Sequence, residues 1–245
     1  MLRPRIIPCL LVSNGGLVKT RRFKDPKYVG DPINAVKIFN EKQVDELCIF
    51  DIDAWKAAAP DFGLLEKIAI ESRMPLCYGG GVVSAEQAQR IVNIGYEKVS
   101  LSSAAIRSVS LVSEVAAAIG GQSAVVTLDV SKDNRSGRYE VYVENGQKRL
   151  PHDLFELCDA VVEAGAGEIV INSIDREGEM QGYDIGLAKA LYSRIRIPMT
   201  FMGGAGNVQH MRDLIAEVGV VGAGAGSMFV FKGPFRAVLI SYARP

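Results

Sequence analysis

Glu46-Leu-Cys-Ile-Phe-Asp-Ile-Asp53 and Glu168-Ile-Val-Ile-Asn-Ser-Ile-Asp175 follow one pattern: a glutamate, an apolar run and a closing Ile-Asp, 122 residues apart. A second pair, Pro75-Leu-Cys-Tyr-Gly-Gly-Gly81 and Pro198-Met-Thr-Phe-Met-Gly-Gly204, repeats at 123 residues. Both offsets are about half of the 245-residue chain. An internal repeat of that length points to two duplicated (βα)₄ halves.

Short β-branched runs alternate with amphipathic stretches on either side of these segments. Strands are predicted at Ile6–Val12, Glu46–Asp51, Pro75–Tyr78, Lys98–Leu101, Ala124–Val130, Glu168–Asn172, Met199–Met202 and Val220–Ala223, with helices such as Ile33–Lys42 and Leu64–Ser72 between them. That alternation is the signature of a parallel sheet. Eight βα units of roughly 30 residues favour closure into a single (β/α)₈ TIM barrel spanning 1–245, because closure removes the edge strands. An open doubly wound sheet is the alternative. Two long segments at the C-terminal ends of strands stand out: Asn14–Gly30 reads as a loop, and Ser131–Lys148, with its Tyr139-Glu-Val-Tyr-Val143 alternation, as a small hairpin.

Composition narrows the function. The formal net charge is zero and no block of like charge occurs, so there is no electrostatic footprint for nucleic acid or an anionic membrane. The apolar run Val218–Phe231 is cut by glycines and too short to span a bilayer, and is expected to be a strand followed by a glycine turn. Cys9, Cys48, Cys77 and Cys158 lie far apart without a CxxC pair, which predicts reduced core thiols in a cytoplasmic protein and no metal site or cofactor.

Two glycine turns, Gly79-Gly80-Gly81 and Gly203-Gly204-Ala205-Gly206, each precede a predicted helix start, at Ser84 and Asn207. Glycine lets backbone amides approach an anion, and helix N-termini add donors and a favourable dipole. Two phosphate seats are expected, one at Gly80, Gly81, Ser102 and Ser103, the other at Gly203, Gly204, Gly224, Gly226 and Ser227. Among acidic residues at strand ends, Asp51, Asp53, Asp175 and Glu177 are candidates for acid–base work, and Asp129, which ends an apolar run, is the sharpest. At the opposite ends Arg5, Glu46, Lys98 and Glu168 would ring the barrel's N-terminal mouth, which by itself reads as a stabilising salt-bridged plug.

At Arg5-Ile-Ile-Pro-Cys9, Gly30-Asp-Pro32, Asp45-Glu-Leu47, Tyr78-Gly-Gly-Gly81, Lys98-Val-Ser100, Gly165-Ala-Gly-Glu168, Ser173-Ile-Asp-Arg176, Gly182-Tyr-Asp184 and Gly203-Gly-Ala-Gly206 the chain resembles the HisF family, the cyclase subunit of imidazole glycerol phosphate synthase. The resemblance implies that Arg5, Glu46, Lys98 and Glu168 form an ammonia gate beneath a docked HisH-like glutaminase. It also implies a phosphorylated ligand held by Lys19, Asn172, Ser173 and Asp175 together with the two glycine seats. The family's chemistry uses two aspartates; Asp129 matches the second, and the first falls on Leu11. Leucine can neither give nor take a proton.

With Gly16-Leu-Val-Lys-Thr20, Tyr28-Val-Gly-Asp-Pro-Ile-Asn34 and Asp51-Ile-Asp-Ala54, the chain looks most like HisF paralogues associated with glycosyl amidation. In those systems ammonia passes to a separate sugar amidotransferase that makes an acetamidino group on a surface-polysaccharide sugar. The alternatives are the histidine-pathway cyclase itself and a non-catalytic barrel that binds a phosphorylated ligand and activates the glutaminase.

Overall fold

The computed structural model describes residues 3–245. Twelve strands form the main sheet: β1 (Arg5–Ser13), β2 (Gly16–Arg21), β3 (Lys24–Gly30), β4 (Leu47–Asp51), β5 (Leu76–Gly79), β6 (Lys98–Leu101), β7 (Ala124–Lys132), β8 (Tyr139–Val143), β9 (Lys148–Asp153), β10 (Glu168–Ser173), β11 (Met199–Met202) and β12 (Gly222–Ala225). Eight of them pair in parallel in the order β1-β4-β5-β6-β7-β10-β11-β12. The ring closes where Arg5–Pro8 of β1 lie against Gly222–Ala225 of β12. This is the expected (β/α)₈ barrel.

The barrel strands are mostly apolar in their middles, where both faces are covered, and carry polar and charged residues toward their ends. Residues on the outer face pack under the helices, with Phe39, Ile68, Ile91, Val112, Leu191 and Leu214 fully shielded. Inside, Ile7, Cys9, Cys48, Cys77, Val125 and Val170 make a separate small core, capped toward the C-terminal mouth by Phe50 and Met202. Helices begin where the sequence supplies capping oxygens: Asp31 accepts from the amide of Asn34 at 2.9 Å, Ser84 from Gln87 at 3.3 Å and Asn207 from His210 at 3.0 Å. Each such cap is worth about 1 kcal/mol.

Two expectations are corrected. Asn14–Gly30 is an antiparallel hairpin, β2 and β3, rather than a loop, because β1 continues beyond the barrel and pairs Leu11 with Val18. The eighth strand is Gly222–Ala225, two residues later than predicted, so Gly224 is a strand position like Gly222 and not part of the turn. A Cβ at Gly222 would meet Thr200 Oγ1 at 1.9 Å, and at Gly224 it would meet Met202 Cγ at 2.5 Å. The barrel narrows here, and only glycine fits on its inner face.

The predicted hairpin after the fifth strand is present as β8 and β9. With β2 and β3 it completes the internal symmetry: β1 and β7 open the two halves, and each carries an antiparallel hairpin at its C-terminal end.

Candidate active site

The carboxyl ends of the eight strands enclose a cavity of about 230 Å³. Alternation along each strand decides which side chains reach it. On β7 it turns Val125, Thr127 and Asp129 inward, and on β1 it turns Ile7, Cys9 and Leu11 inward. Leu11 and Asp129 are therefore counterparts in the two halves: each is the last residue of its strand to line the cavity and pairs with the hairpin that follows, Leu11 with Val18 and Asp129 with Tyr142.

Asp129 accepts a hydrogen bond from Asn172 Nδ2 at 3.0 Å. Burial raises its pKa to about 7, with Glu177 pushing the same way and the Asn172 bond opposing. An acid poised there can exchange a proton at neutral pH. Lys19, on β2, lies with its Nζ 2.6 Å from the carbonyl of Cys9 and beside Gly226. Desolvation lowers its pKa against the opposing pull of Glu177.

Both expected glycine seats line the cavity, with Gly80, Gly81, Ser102 and Ser103 toward one end and Gly203, Gly204, Gly226 and Ser227 toward the other. At Gly81, with φ +66, a Cβ would fall 2.7 Å from the carbonyl oxygen of Ala54, so glycine is required by space as well as conformation. The turns lead into helices capped by Ser84 and Asn207, as predicted. Lys19 brings a cation to the Gly226 seat, and Arg107 on the cavity wall brings one near Ser103.

Two predicted contacts fall elsewhere. Ser173 is buried at the end of β10 and, by strand alternation, faces away from the cavity that its neighbour Asn172 lines. Asp175 is engaged outside the cavity, accepting from Ser131 Oγ and the Lys132 amide, both at 2.7 Å. It ties the loop after β10 to the root of the β8–β9 hairpin. The cavity also has walls that the sequence reading did not single out: Phe23, Phe50, Trp55, Arg107 and Asn145. Phe23 and Asn145 come from the tips of the two hairpins, which touch, since a Cβ at Gly146 would lie 2.8 Å from Phe23 Cδ2. The Tyr139–Val143 alternation signalled the second hairpin, but nothing local in either sequence encodes their meeting. Of the histidines, His152 lies on β9, and His210 accepts from the Gly206 amide at 3.1 Å through Nδ1.

At the opposite end the four predicted charges form a closed ring. Arg5 bonds Glu46 and Glu168, the latter at 2.6 Å; Lys98 bonds Glu46 at 2.9 Å and Glu168 at 2.8 Å. Thr200 Oγ1 adds a donor to Glu168 at 2.6 Å. Burial alone would raise the pKa of Glu168, but Arg5 and Lys98 together hold it below the ordinary value. Lys98 is shifted up, since Glu168 and Glu46 outweigh its own desolvation. Each shift favours the charged form of its group, and the ring lies across the N-terminal mouth of the barrel.

Residues 5–236 match the family model for "Histidine biosynthesis protein". The chain is similar to "Putative imidazole glycerol phosphate synthase subunit HisF" of Leptospira borgpetersenii, 51% identical over 99% of this chain and 96% of that protein. It is similar to the subunit named hisF3 of Vibrio vulnificus, at 49% over 100% of this chain and 95% of that protein. It is also similar to the subunit named HisF of Oceanobacillus iheyensis, at 37% over 89% and 85%. With the barrel, the paired glycine seats and the charged ring in place, these likenesses show that the chain belongs to the HisF family of imidazole glycerol phosphate synthase subunits.

Proposed function

We propose that this barrel is the ammonia-handling synthase subunit of a complex with a HisH-like glutaminase, working in the cytoplasm, and that its ammonia serves amidination of a surface-polysaccharide sugar by a separate amidotransferase. One observation carries this. Of the two equivalent inward positions at the cavity, one holds Asp129 and the other Leu11. Cyclisation of the family's substrate is implied to need a carboxylate at both, and losing one of a catalytic pair usually costs orders of magnitude in rate.

The gate and both glycine seats are retained, which supports continued transfer of ammonia and binding of a phosphorylated ligand. The numbered names hisF3 and hisF2, the latter from a Pseudomonas aeruginosa relative 46% identical over 99% of this chain, fit additional subunits of the family. The second reading is the histidine-pathway cyclase, favoured by Asp129 with its pKa about 7 in a cavity that Lys19 also lines.

The deciding experiment combines the barrel, the glutaminase and the sugar amidotransferase with glutamine labelled in its amide nitrogen. Label should enter the amidino group only when all three proteins are present. Turnover of the cyclase's ribulosyl substrate by the unmodified barrel with ammonium salt, at rates on the order of 1 s⁻¹, would refute the proposal and establish the cyclase.

A further inference from the structure

Cys48 and Cys77 are register partners on the neighbouring strands β4 and β5. Cys9 is the register partner of Cys48 on the other side, from β1. All three side chains are buried in the inner core of the barrel. Glu46, one residue ahead of β4 and two before Cys48, points the same way, up from the charged ring. A carboxylate oxygen of Glu46 and the sulfurs of Cys48 and Cys77 all lie within 4.8 Å of one another. The thiols take no part in the chemistry of the mouth above them, and the chain separates them too widely for their spacing to read as a ligand set.

We propose that Glu46, Cys48 and Cys77 form a binding site for one thiophilic divalent cation, zinc or cadmium, on the inner face of β4 and β5 between the charged ring and the cavity floor, where a bound ion would stand in the path that the proposed function gives to ammonia, so that occupancy and passage exclude each other.

Three physical points support the assignment. First, two thiolates with a carboxylate are a donor set that suits zinc and its heavier congener. Second, the spacing is nearly right: metal–sulfur bonds of about 2.3 Å in a tetrahedron place ligand atoms roughly 3.8 Å apart, so each donor need move by less than about 1 Å. The fourth position of the tetrahedron is left to a water or to another ligand brought by the ion.

Third, the charge balances. Arg5 and Lys98 already neutralise Glu46 and Glu168. A divalent ion that displaces the two thiol protons of Cys48 and Cys77 leaves the total unchanged, with each S–H bond replaced by a metal–sulfur bond and the protons released to solvent. In a layer walled by Ile7, Val125 and Val170, an unbalanced charge would be prohibitive.

The test uses the full chain alone, kept reduced with a phosphine, so its outcome is independent of the ammonia reading. Titration with Cd²⁺ should develop a thiolate-to-cadmium charge-transfer band that saturates at one equivalent. Cys48→Val and Cys77→Ala should each weaken binding at least about 100-fold, beyond what loss of a supporting contact costs. Cys158→Ala, in a helix remote from the cluster, should bind as the unmodified chain does. Cadmium NMR of the unmodified chain, which needs no variant to fold, should report sulfur ligation. Absence of the band, its persistence without both Cys48 and Cys77, or a cadmium resonance typical of oxygen ligands alone would overturn the site.

Discussion

Replacing Asp129 with asparagine should stabilise the protein, and the gain should depend on pH in a way fixed by the group's surroundings. In the unfolded chain an aspartate titrates near 3.9. In the fold, burial raises the pKa of Asp129 to about 7. Between those values the folded protein holds a proton that the unfolded chain has lost, so stability falls as pH rises through that window. Above about pH 7 both states are ionised and the slope from this group vanishes.

Each pH unit of the window is worth about 1.4 kcal/mol, so a window of about three units amounts to roughly 4 kcal/mol, taken as an upper bound. An asparagine in its place would keep the shape of the side chain and the carbonyl that accepts from Asn172 Nδ2, at 3.0 Å in the parent, but cannot titrate. Urea unfolding of both proteins, measured from about pH 4 to about pH 8, isolates this residue, because every other titration cancels in the difference. The advantage of Asp129→Asn should grow by several kcal/mol up to about pH 7 and then level off. A difference that stays flat across the range, or shrinks with rising pH, would refute both the burial argument and the assignment of Asp129 as an acid poised near neutrality.

Lys98→Met should leave Glu46 and Glu168 sharing Arg5 alone, costing about 3–5 kcal/mol in urea unfolding and uncoupling glutamine hydrolysis from ammonia use; unchanged stability would remove the electrostatic account of the ring. Crystals soaked in sulfate should show density at both glycine seats, by Gly81 and Ser103 and by Gly204 and Ser227, and two empty seats at high sulfate would end the cradle assignment. Leu11→Asp should raise turnover of the cyclase's ribulosyl substrate with ammonium salt by at least about 10²-fold, measured against a very slow parent; no increase would mean that more than this carboxylate has been lost.

Most of the architecture was legible because it rests on local patterning. The 122-residue repeat announced two half-barrels, and apolar runs covered on both faces marked all eight barrel strands to within two residues at each end. The eighth alone was shifted by two at both ends, for a physical reason. Gly222 and Gly224 carry the composition of a turn, and their role as inner-face residues depends on Thr200 and Met202 from the neighbouring strand. Asp175 was misassigned in the same way, since its side chain is claimed by Ser131 and Lys132 through a contact made only in the folded chain. The charged ring and the glycine seats could be read because each member sits at a strand terminus, where the barrel fixes its position. Trp55, Phe23 and Asn145 could not, because they reach the cavity from excursions beyond the strands.

The chemistry open to the mouth turns on whether any other acid takes the place vacated at position 11. Asp51 is the nearest along the sheet and lines the cavity, but its Oδ1 is engaged by the amides of Asp53 and Ala54 at 3.0 and 3.1 Å. Asp53 is held by Ser13 at 2.6 Å and Lys56 at 2.7 Å. Glu177 reaches the cavity wall, yet it accepts from Thr20 at 2.9 Å and balances Lys19. Each is committed to holding a loop or a cation, and a catalytic group must instead be within hydrogen-bond reach of the reacting atoms. Under the proposed function Asp129 is therefore left without a second acid. Ammonia is a stronger base than a carboxylate whose pKa is about 7, so ammonia arriving at Asp129 would take its proton and be held as an ion pair. A second carboxylate opposite would deepen that hold, whereas the apolar Leu11 weakens it. On the proposed function, a mouth with one acid and one leucine would pass ammonia onward rather than run a cyclisation that the family resemblance implies needs two proton-transfer groups.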